Sequence, residues 1–324
     1  MKKFSIPELD NKSIQIEVEE KLKDYNLTGP YPSFCKMLIR ACLILDSRKA
    51  KISRPALLVI ASDHGFIKES KTHLEVYQHL ESSSLLAKMS KSSGFHLKTI
   101  DLGVRHSFER SLSFWLHHGK GIVDWKINKG TKNYKEFPAM TSAECQKAID
   151  IGIKLAQKEF KIGSKLIAVQ SLGEGGEFSA QIIASGLLEK EIQNGLISYK
   201  IEDAVQKALA CHPKTHDPIT LISLFGGYEL ASIIGLILQA ASQRQILFLG
   251  GLKSILALYI ASLWHPGVLD YVIVVKEPEN ELEEILYHKM KLLVLNHHPI
   301  DGNLDIALCQ SLSLLKSGIA ILRD

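Results

Sequence analysis

Short aliphatic runs alternate with amphipathic helical stretches along most of the chain. Each run is short and rich in β-branched or aliphatic side chains, which is typical of buried strands. The runs lie at residues 56–60, 97–100, 165–169, 245–248 and 271–275. Strands that alternate with helices form a mostly parallel sheet covered by helices on both faces. The pattern therefore predicts an α/β fold with a doubly wound, mostly parallel, Rossmann-like sheet.

Helical patterns dominate both ends of the chain. Residues 14–25 and 33–45 have helical spacing of apolar side chains, and so do residues 304–315. We therefore expect the two terminal segments to contact each other. The predicted division is a small helical domain from residues 1–50 and 303–324, and a large α/β nucleotide-binding domain from residues 51–302.

Two internal segments also have helical signals. Thr141 and Glu144 have the spacing of a capping box, in which a hydroxyl and a carboxylate satisfy free amides at a helix start. This predicts a helix that runs to about residue 160. The serines at 82–84 and Ser90 fall within one long helical pattern.

The composition is that of an ordinary globular protein, with 324 residues, 46% hydrophobic and 23% charged. The formal charge of +4 arises from 39 basic and 35 acidic residues scattered along the chain, so there is no basic stripe of the kind that binds nucleic acid. The charge indicates at most a mild preference for small anions. The five cysteines are widely spread and lack Cys-x-x-Cys spacing, which argues against a disulfide framework and against a zinc site.

The sequence predicts a cytoplasmic location and no membrane partner. Two lysines near the N-terminus are followed by Glu8 and Asp10 rather than by the apolar core of a secretion signal. The most apolar windows, residues 230–241 and 252–263, are shorter than the ~18 residues of a membrane span. They are interpreted as buried helices.

Residues that follow predicted strands are the candidates for chemistry, because ligands of doubly wound sheets bind beyond the carboxyl ends of the strands. Asp63, His64 and Gly65 follow the first strand and provide an acceptor, a titratable ring and a flexible backbone. Alternatively, Asp63 only caps the next helix.

A glycine-rich segment follows the third predicted strand and leads into a helix. Residues 171–177 read Ser-Leu-Gly-Glu-Gly-Gly-Glu, and backbone amides at Gly173, Gly175 and Gly176 could approach a phosphate. Glu174 and Glu177 place negative charge at the same point. The alternative interpretation is therefore a glycine-rich turn with acidic residues at a helix start.

Other site classes find little support in the sequence. The pairs His117–His118 and His297–His298 have no carboxylate or cysteine at ligand spacing, and adjacent side chains point in different directions, so no metal site is predicted. The sequence contains no Gly-x-Ser-x-Gly elbow and no Gly-x-Gly-x-x-Gly dinucleotide fingerprint.

Three distant segments carry a family resemblance. Residues 130–141 contain Gly-Thr-Lys-Asn followed by Pro-Ala-Met-Thr, residues 61–65 read Ala-Ser-Asp-His-Gly, and residues 225–230 read Phe-Gly-Gly-Tyr-Glu-Leu. With this spacing, they resemble signatures of the nicotinate-nucleotide:dimethylbenzimidazole phosphoribosyltransferase family, which builds the lower-ligand nucleotide of cobalamin. The resemblance spans roughly residues 27–315.

The resemblance implies a function. Its reaction moves a 5-phosphoribosyl group from nicotinate mononucleotide to a nitrogen of 5,6-dimethylbenzimidazole, giving α-ribazole 5′-phosphate and nicotinate, with no metal or redox cofactor. Members are homodimers with a doubly wound domain and a small helical domain. The implied partners are therefore small-molecule substrates and a second copy of the chain.

The resemblance also implies roles for individual residues. Ser70 and Gln78 stand where the family has a serine and a glutamine that bind the benzimidazole, with Asp63, His64 and Ser171 in support. Asp301 is the implied general base. The implied nucleotide- and phosphate-binding residues are Gly173, Gly175, Gly176, Ser185, Gly186 and Lys200.

The sequence departs from the family pattern at two of these points. Asp301 aligns with the family's glutamate base only after a shift of one residue, and Ser171 replaces a functional glutamate. Three hypotheses follow: an active transferase with altered site residues, a family member that binds a nucleotide or azole base without transfer, and an unrelated nucleotide-dependent α/β enzyme.

Overall fold

The computed structural model describes residues 4–108, 122–294 and 303–323. Within them, six parallel strands form one sheet in the order β3-β2-β1-β4-β5-β6. The strands are β1 Ala56–Ser62, β2 His96–Gly103, β3 Ile122–Asp124, β4 Leu166–Leu172, β5 Ile246–Leu249 and β6 Val272–Val274. This order confirms the predicted doubly wound α/β sheet, and the winding direction reverses between β1 and β4.

Helices cover both faces of the sheet. They are α1 Lys12–Asp24, α2 Pro32–Ile44, α3 Thr72–Leu80, α4 Leu85–Ser93, α5 Ser142–Lys161, α6 Gly176–Gln193, α7 Asp203–Leu209, α8 Pro218–Phe225, α9 Tyr228–Ser242, α10 Leu252–Trp264, α11 Glu281–Met290 and α12 Leu304–Arg323, with a 3₁₀ turn at Pro266–Tyr271.

The five predicted strands are all present, but β3 was missed. Strand β3 has three residues, and none of them is buried, so it lacks the apolar run that marks the others. The capping box at Thr141 and Glu144 is formed as predicted and begins α5. The continuous helix predicted across Ser82 was wrong. Ser82 has a positive φ of 57°, and the Ser84 side chain caps α4 instead.

Close helix contacts tie α5 and α9 together beside the sheet. A Cβ at Gly152 of α5 would lie 1.8 Å from the Ser232 carbonyl oxygen, and one at Gly235 of α9 would lie 2.0 Å from the Ile149 carbonyl oxygen. Only glycine permits such an approach. This contact fixes α9, which carries Glu229 at the end of the sheet where β1 and β4 finish.

The C-terminal helix α12 contacts α1, α2 and α4, and Arg323 donates to the Ala50 carbonyl oxygen. By length and composition, α12 could cross a membrane, but Leu308, Leu312 and Leu315 bury one face of it against the protein. Terminal helices therefore meet as expected from the sequence. The division into two domains stays a prediction.

Candidate active site at the carboxyl edge of the sheet

The loops that follow β1 and β4 meet where the winding of the sheet reverses. His64, two residues after β1, is buried, and its Nε2 lies 2.9 Å from Oε1 of Glu229 on α9. The other carboxylate oxygen of Glu229 is buried without a hydrogen-bond partner among the described residues. The predicted Asp63-His64-Gly65 turn thus lies at the expected edge. His64 is held there by a residue 165 positions away in sequence.

The glycine loop, residues 173–176, lies directly against the β1 loop. A Cβ at Gly173 would lie 2.0 Å from the Ser62 carbonyl oxygen, and the φ of Gly173 is +156°. Gly175 has a φ of +84° and adjoins the Phe66 ring. A Cβ at Gly176 would lie 3.2 Å from Nε2 of His64. Backbone conformation and close approach therefore require glycine at 173 and 175, while Gly176 brings the backbone close to His64 and Lys253. Helix α6 begins where the sequence pattern predicted a helix.

Lys253 places a cation against this loop. It lies in the first turn of α10, and its Nζ donates to the Ser171 carbonyl oxygen at 3.1 Å. The same ammonium would be 3.4 Å from a Cβ at Gly176. Lys253 also lies near the carboxylate of Glu177. Burial raises the pKa of Glu177 overall, and the positive charge of Lys253 opposes part of that increase. The sequence interpretation missed Lys253, although its position just after a predicted strand was the available signal.

The β1 loop is joined to the start of α3 through Ser70. The Ser70 hydroxyl donates to Oδ1 of Asp63 at 2.6 Å, and Ser70 Oγ and Thr72 Oγ1 are 2.8 Å apart. The Glu174 amide donates to Thr72 Oγ1 at 3.4 Å, which links α3 to the glycine loop. Ser70 and Asp63 thus belong to one connected wall of the edge. Gln78 is exposed at the far end of α3, six residues beyond Thr72, and is not brought to Ser70.

Carboxylates from three separate elements gather beside the glycine loop. Asp305, in the first turn of α12, accepts a hydrogen bond from Nε2 of Gln170 on β4 at 2.8 Å. The pKa of Asp305 is raised by burial, and the Gln170 hydrogen bond opposes that shift. Burial also raises the pKa of Glu75, with further increases from the charges of Glu174 and Asp305. These groups were not singled out from sequence because they come from α3, the glycine loop and α12.

A separate cavity of about 610 Å³ lies beside the other end of α6. Gly186 and the exposed Lys200 line it together, so the structure brings these two predicted residues to one place. Ser185 is fully buried and does not line it. Other lining residues are Glu189, Tyr199, His212 and Lys214, and Lys214 Nζ pairs with Glu189 Oε1 at 2.7 Å.

The predicted phosphate residues therefore form two groups. Gly176 and Gly186 are ten residues apart on one helix, which separates them by about 15 Å at 1.5 Å per residue. One phosphate cannot contact both. Packed aromatic rings run from one group to the other, through Phe66, Tyr134, Phe225 and His212.

Some of the residues considered in the sequence analysis lie outside the described ranges. Asp301, the predicted base, lies outside the described residues, and so do His117–His118 and His297–His298. Within the described ranges, no group of three or more His, Cys, Asp or Glu side chains is placed to hold a metal ion.

A doubly wound sheet with a glycine loop at its reversal point and a cavity beside the following helix is an arrangement typical of α/β enzymes that bind nucleotides. A family model described as phosphoribosyltransferase matches residues 10–299. The chain belongs to this family of phosphoribosyl-transferring enzymes. The resemblance drawn from the sequence motifs is confirmed.

Curated relatives agree with this placement. A nicotinate-nucleotide–dimethylbenzimidazole phosphoribosyltransferase of Geotalea uraniireducens is 26% identical over 96% of this chain and 90% of that protein. The protein of the same name from Janthinobacterium is 29% identical over 71% of this chain and 69% of its own length. The crystal structure of the Thermus thermophilus protein of that name superimposes with a TM-score of 0.77 over 96% of each chain, at 21% identity. That structure supports the fold.

Proposed function

We propose that this protein transfers the 5-phosphoribosyl group of nicotinate mononucleotide to a ring nitrogen of 5,6-dimethylbenzimidazole or a related base. The products are α-ribazole 5′-phosphate and nicotinate, as a step of cobalamin biosynthesis. The observation that carries the proposal is the glycine loop at the β1–β4 reversal point in a chain of this family. The curated relatives named for this reaction support it.

The two groups of predicted residues suggest how the donor nucleotide is oriented in the site. The phosphate binds in the cavity, where Lys200 supplies an ammonium and Gly186 lines the wall. The ribose and the nicotinate ring extend along α6 toward the glycine loop. The incoming base approaches from the Ser70 side, which adjoins the glycine loop through Thr72.

Catalysis then requires mainly orientation. Nicotinate bound as a pyridinium is a good leaving group, and fixing the acceptor nitrogen beside the ribose carbon removes much of the entropic barrier. A carboxylate accepts the second ring proton of the benzimidazole as that ring becomes cationic. The family resemblance gives this role to Asp301.

A second candidate function is binding without transfer. It is favoured by Ser171, which stands where the family has a functional glutamate and whose carbonyl oxygen is occupied by Lys253. In that case the protein binds a nucleotide or an azole base and releases it unchanged.

One experiment separates the two candidates. Purified protein is incubated with nicotinate mononucleotide and dimethylbenzimidazole, and nicotinate and α-ribazole phosphate are measured by chromatography and mass spectrometry. Transfer predicts equal amounts of both products, formed only when the acceptor is present. Binding of either substrate in calorimetry without product formation would support the second candidate.

The assembly and the location are part of the same proposal. We infer a homodimer in the cytoplasm. All five cysteines are free in the structure, which fits a reducing compartment. Sedimentation of the purified protein at several concentrations tests the dimer, and a monomeric mass at all of them would contradict it.

A further inference from the structure

The first turn of α12 is brought to the ligand-binding edge of the sheet. Leu304 covers the turn that follows β5, since its Cδ1 would be 2.8 Å from a Cβ at Gly250 and its Cδ2 3.9 Å from one at Gly251. The next residue, Asp305, reaches β4 and accepts from Gln170. The carboxylate of Asp305 therefore lies at the carboxyl edge, next to the strand that leads into the glycine loop.

Hydrogen bonding fixes one oxygen of this carboxylate. Gln170 Nε2 donates to Oδ1 at 2.8 Å, and Gln170 is part of a rigid central strand. Within the described ranges, no hydrogen bond reaches the other oxygen, Oδ2. A general base needs this combination, because one oxygen must be held in place while the other receives the proton.

The surroundings of Asp305 favour proton uptake. Burial is the main cause of its raised pKa. Glu75 and Glu174 lie close enough for their charges to interact with one another or with Asp305, while Lys253 supplies a nearby positive charge. A desolvated carboxylate binds a proton more readily than one in water, which suits Asp305 to accept a proton from a bound ligand.

The position also fits the acceptor side of the site. Glu75 lies on α3 between Ser70 and Gln78, and its charge interacts with Asp305. Ser70 begins the same wall and is joined through Thr72 to the glycine loop. The interaction of Glu75 with Asp305 therefore brings the first turn of α12 close to the acceptor side of the proposed site.

We propose that, in the transfer reaction proposed above, Asp305 is the general base that deprotonates the azole acceptor. One ring nitrogen of the acceptor attacks the C1′ carbon of the phosphoribosyl group. The bond from C1′ to the nicotinate nitrogen breaks, and its electron pair stays on nicotinate. The proton on the other ring nitrogen passes to Oδ2 of Asp305 and from there to solvent. This inference rests on the proposed function.

The test compares two acceptors that differ in one proton. Benzimidazole loses its N–H proton on transfer, whereas 1-methylbenzimidazole has no such proton to lose. Asp305→Asn keeps a side-chain oxygen for the Gln170 hydrogen bond but cannot act as a base. With benzimidazole we expect kcat to fall by about 100-fold or more, with little change in the KM for nicotinate mononucleotide. With 1-methylbenzimidazole we expect wild type and variant to have the same rate.

A control variant isolates the effect of the substitution. Asp150→Asn makes the same change at an exposed position on α5 and should leave both rates unchanged. A second variant, Asp305→Ala, keeps the inference testable if Asp305→Asn misfolds or if the wild type does not use the methylated acceptor. Added formate should restore its rate with benzimidazole, since a small carboxylate can replace the missing group. Absence of rescue would contradict the assignment.

The outcomes are distinguishable from failure of the proposed function. If wild type releases nicotinate with benzimidazole and Asp305→Asn does so equally fast, Asp305 is not the base and the transferase assignment stands. An equal loss with both acceptors would indicate a structural role and also overturn the inference. A large loss in Asp301→Asn with a normal rate in Asp305→Asn would assign the role to Asp301. No product from the wild type with either acceptor would overturn the proposed function and the inference together.

Discussion

His64 Nε2 and Glu229 Oε1 are 2.9 Å apart, and each side chain is only 1% exposed. The pair joins the loop after β1 to the first turn of α9, directly beneath the glycine loop. Removing one partner of a buried pair leaves the other without compensation, which costs about 3–5 kcal/mol when the group is charged. We therefore expect Glu229→Leu to be strongly destabilised in urea unfolding. Glu229→Gln keeps an acceptor oxygen for the ring, so it should lose clearly less stability than Glu229→Leu. Equal losses of stability in the two variants would contradict the pairing.

The glycine loop gives a second prediction. Gly173→Ala places a methyl group 2.0 Å from the Ser62 carbonyl oxygen at a φ of +156°. The loop must shift, so we expect a loss of about 1–3 kcal/mol of stability and a higher KM for the donor nucleotide. Steady-state kinetics and urea unfolding measure the two effects. Gly29→Ala is the matched control, because no atom lies within 4 Å of a Cβ at that position. A normal donor KM in Gly173→Ala would remove the loop from the donor site.

Lys200 tests the position of the phosphate. If its ammonium binds the donor phosphate in the cavity, Lys200→Met should lose a charge-assisted hydrogen bond of about 1.5–3 kcal/mol, which raises the donor KM by about 10–100-fold. The KM for the acceptor should change little. Lys190→Met, at an exposed position near the end of α6 that does not line the cavity, serves as the control. Equal donor KM values in the two variants would place the phosphate elsewhere.

The fold could be predicted from sequence because its signals are local. The runs that became β1, β2, β4, β5 and β6 are short and apolar, and the capping box of α5 needs only Thr141 and Glu144. Strand β3 was not predicted because its three residues bury little surface. It pairs with β2 through backbone hydrogen bonds, which cannot be predicted from the pattern of side chains.

The site was only partly predictable because its contacts are long-range. Gly173, Gly175 and Gly176 were found, since a strand followed by glycines and a helix is visible in one segment. Glu229 was part of a family motif but had no predicted role, and Asp305 was not singled out, because each depends on a partner far away in sequence, His64 in one case and Gln170 in the other. The separation of Gly176 from Gly186 required the length of α6, which the sequence pattern had not defined.

The last prediction concerns stability at acidic pH. Burial lowers the pKa of His79 on α3 from 6.5 to about 4, and its Nδ1 is buried without a described partner. Between these two values the unfolded chain binds a proton at His79 that the folded protein does not bind. The contribution of His79 is therefore complete above pH 6.5 and is lost as the pH falls toward 4, by up to about 1.4 kcal/mol per pH unit.

Replacing His79 with leucine removes this titration, so the variant should lose less stability than wild type between pH 7 and pH 5 in urea unfolding. The matched control is His288→Leu, because the His288 side chain is 80% exposed and is hydrated in both the folded and the unfolded chain. The control should follow the wild-type pH dependence. A parallel loss of stability in His79→Leu and wild type would mean that the ring is protonated as readily in the folded protein as in the unfolded chain, and that α3 opens to water at this point.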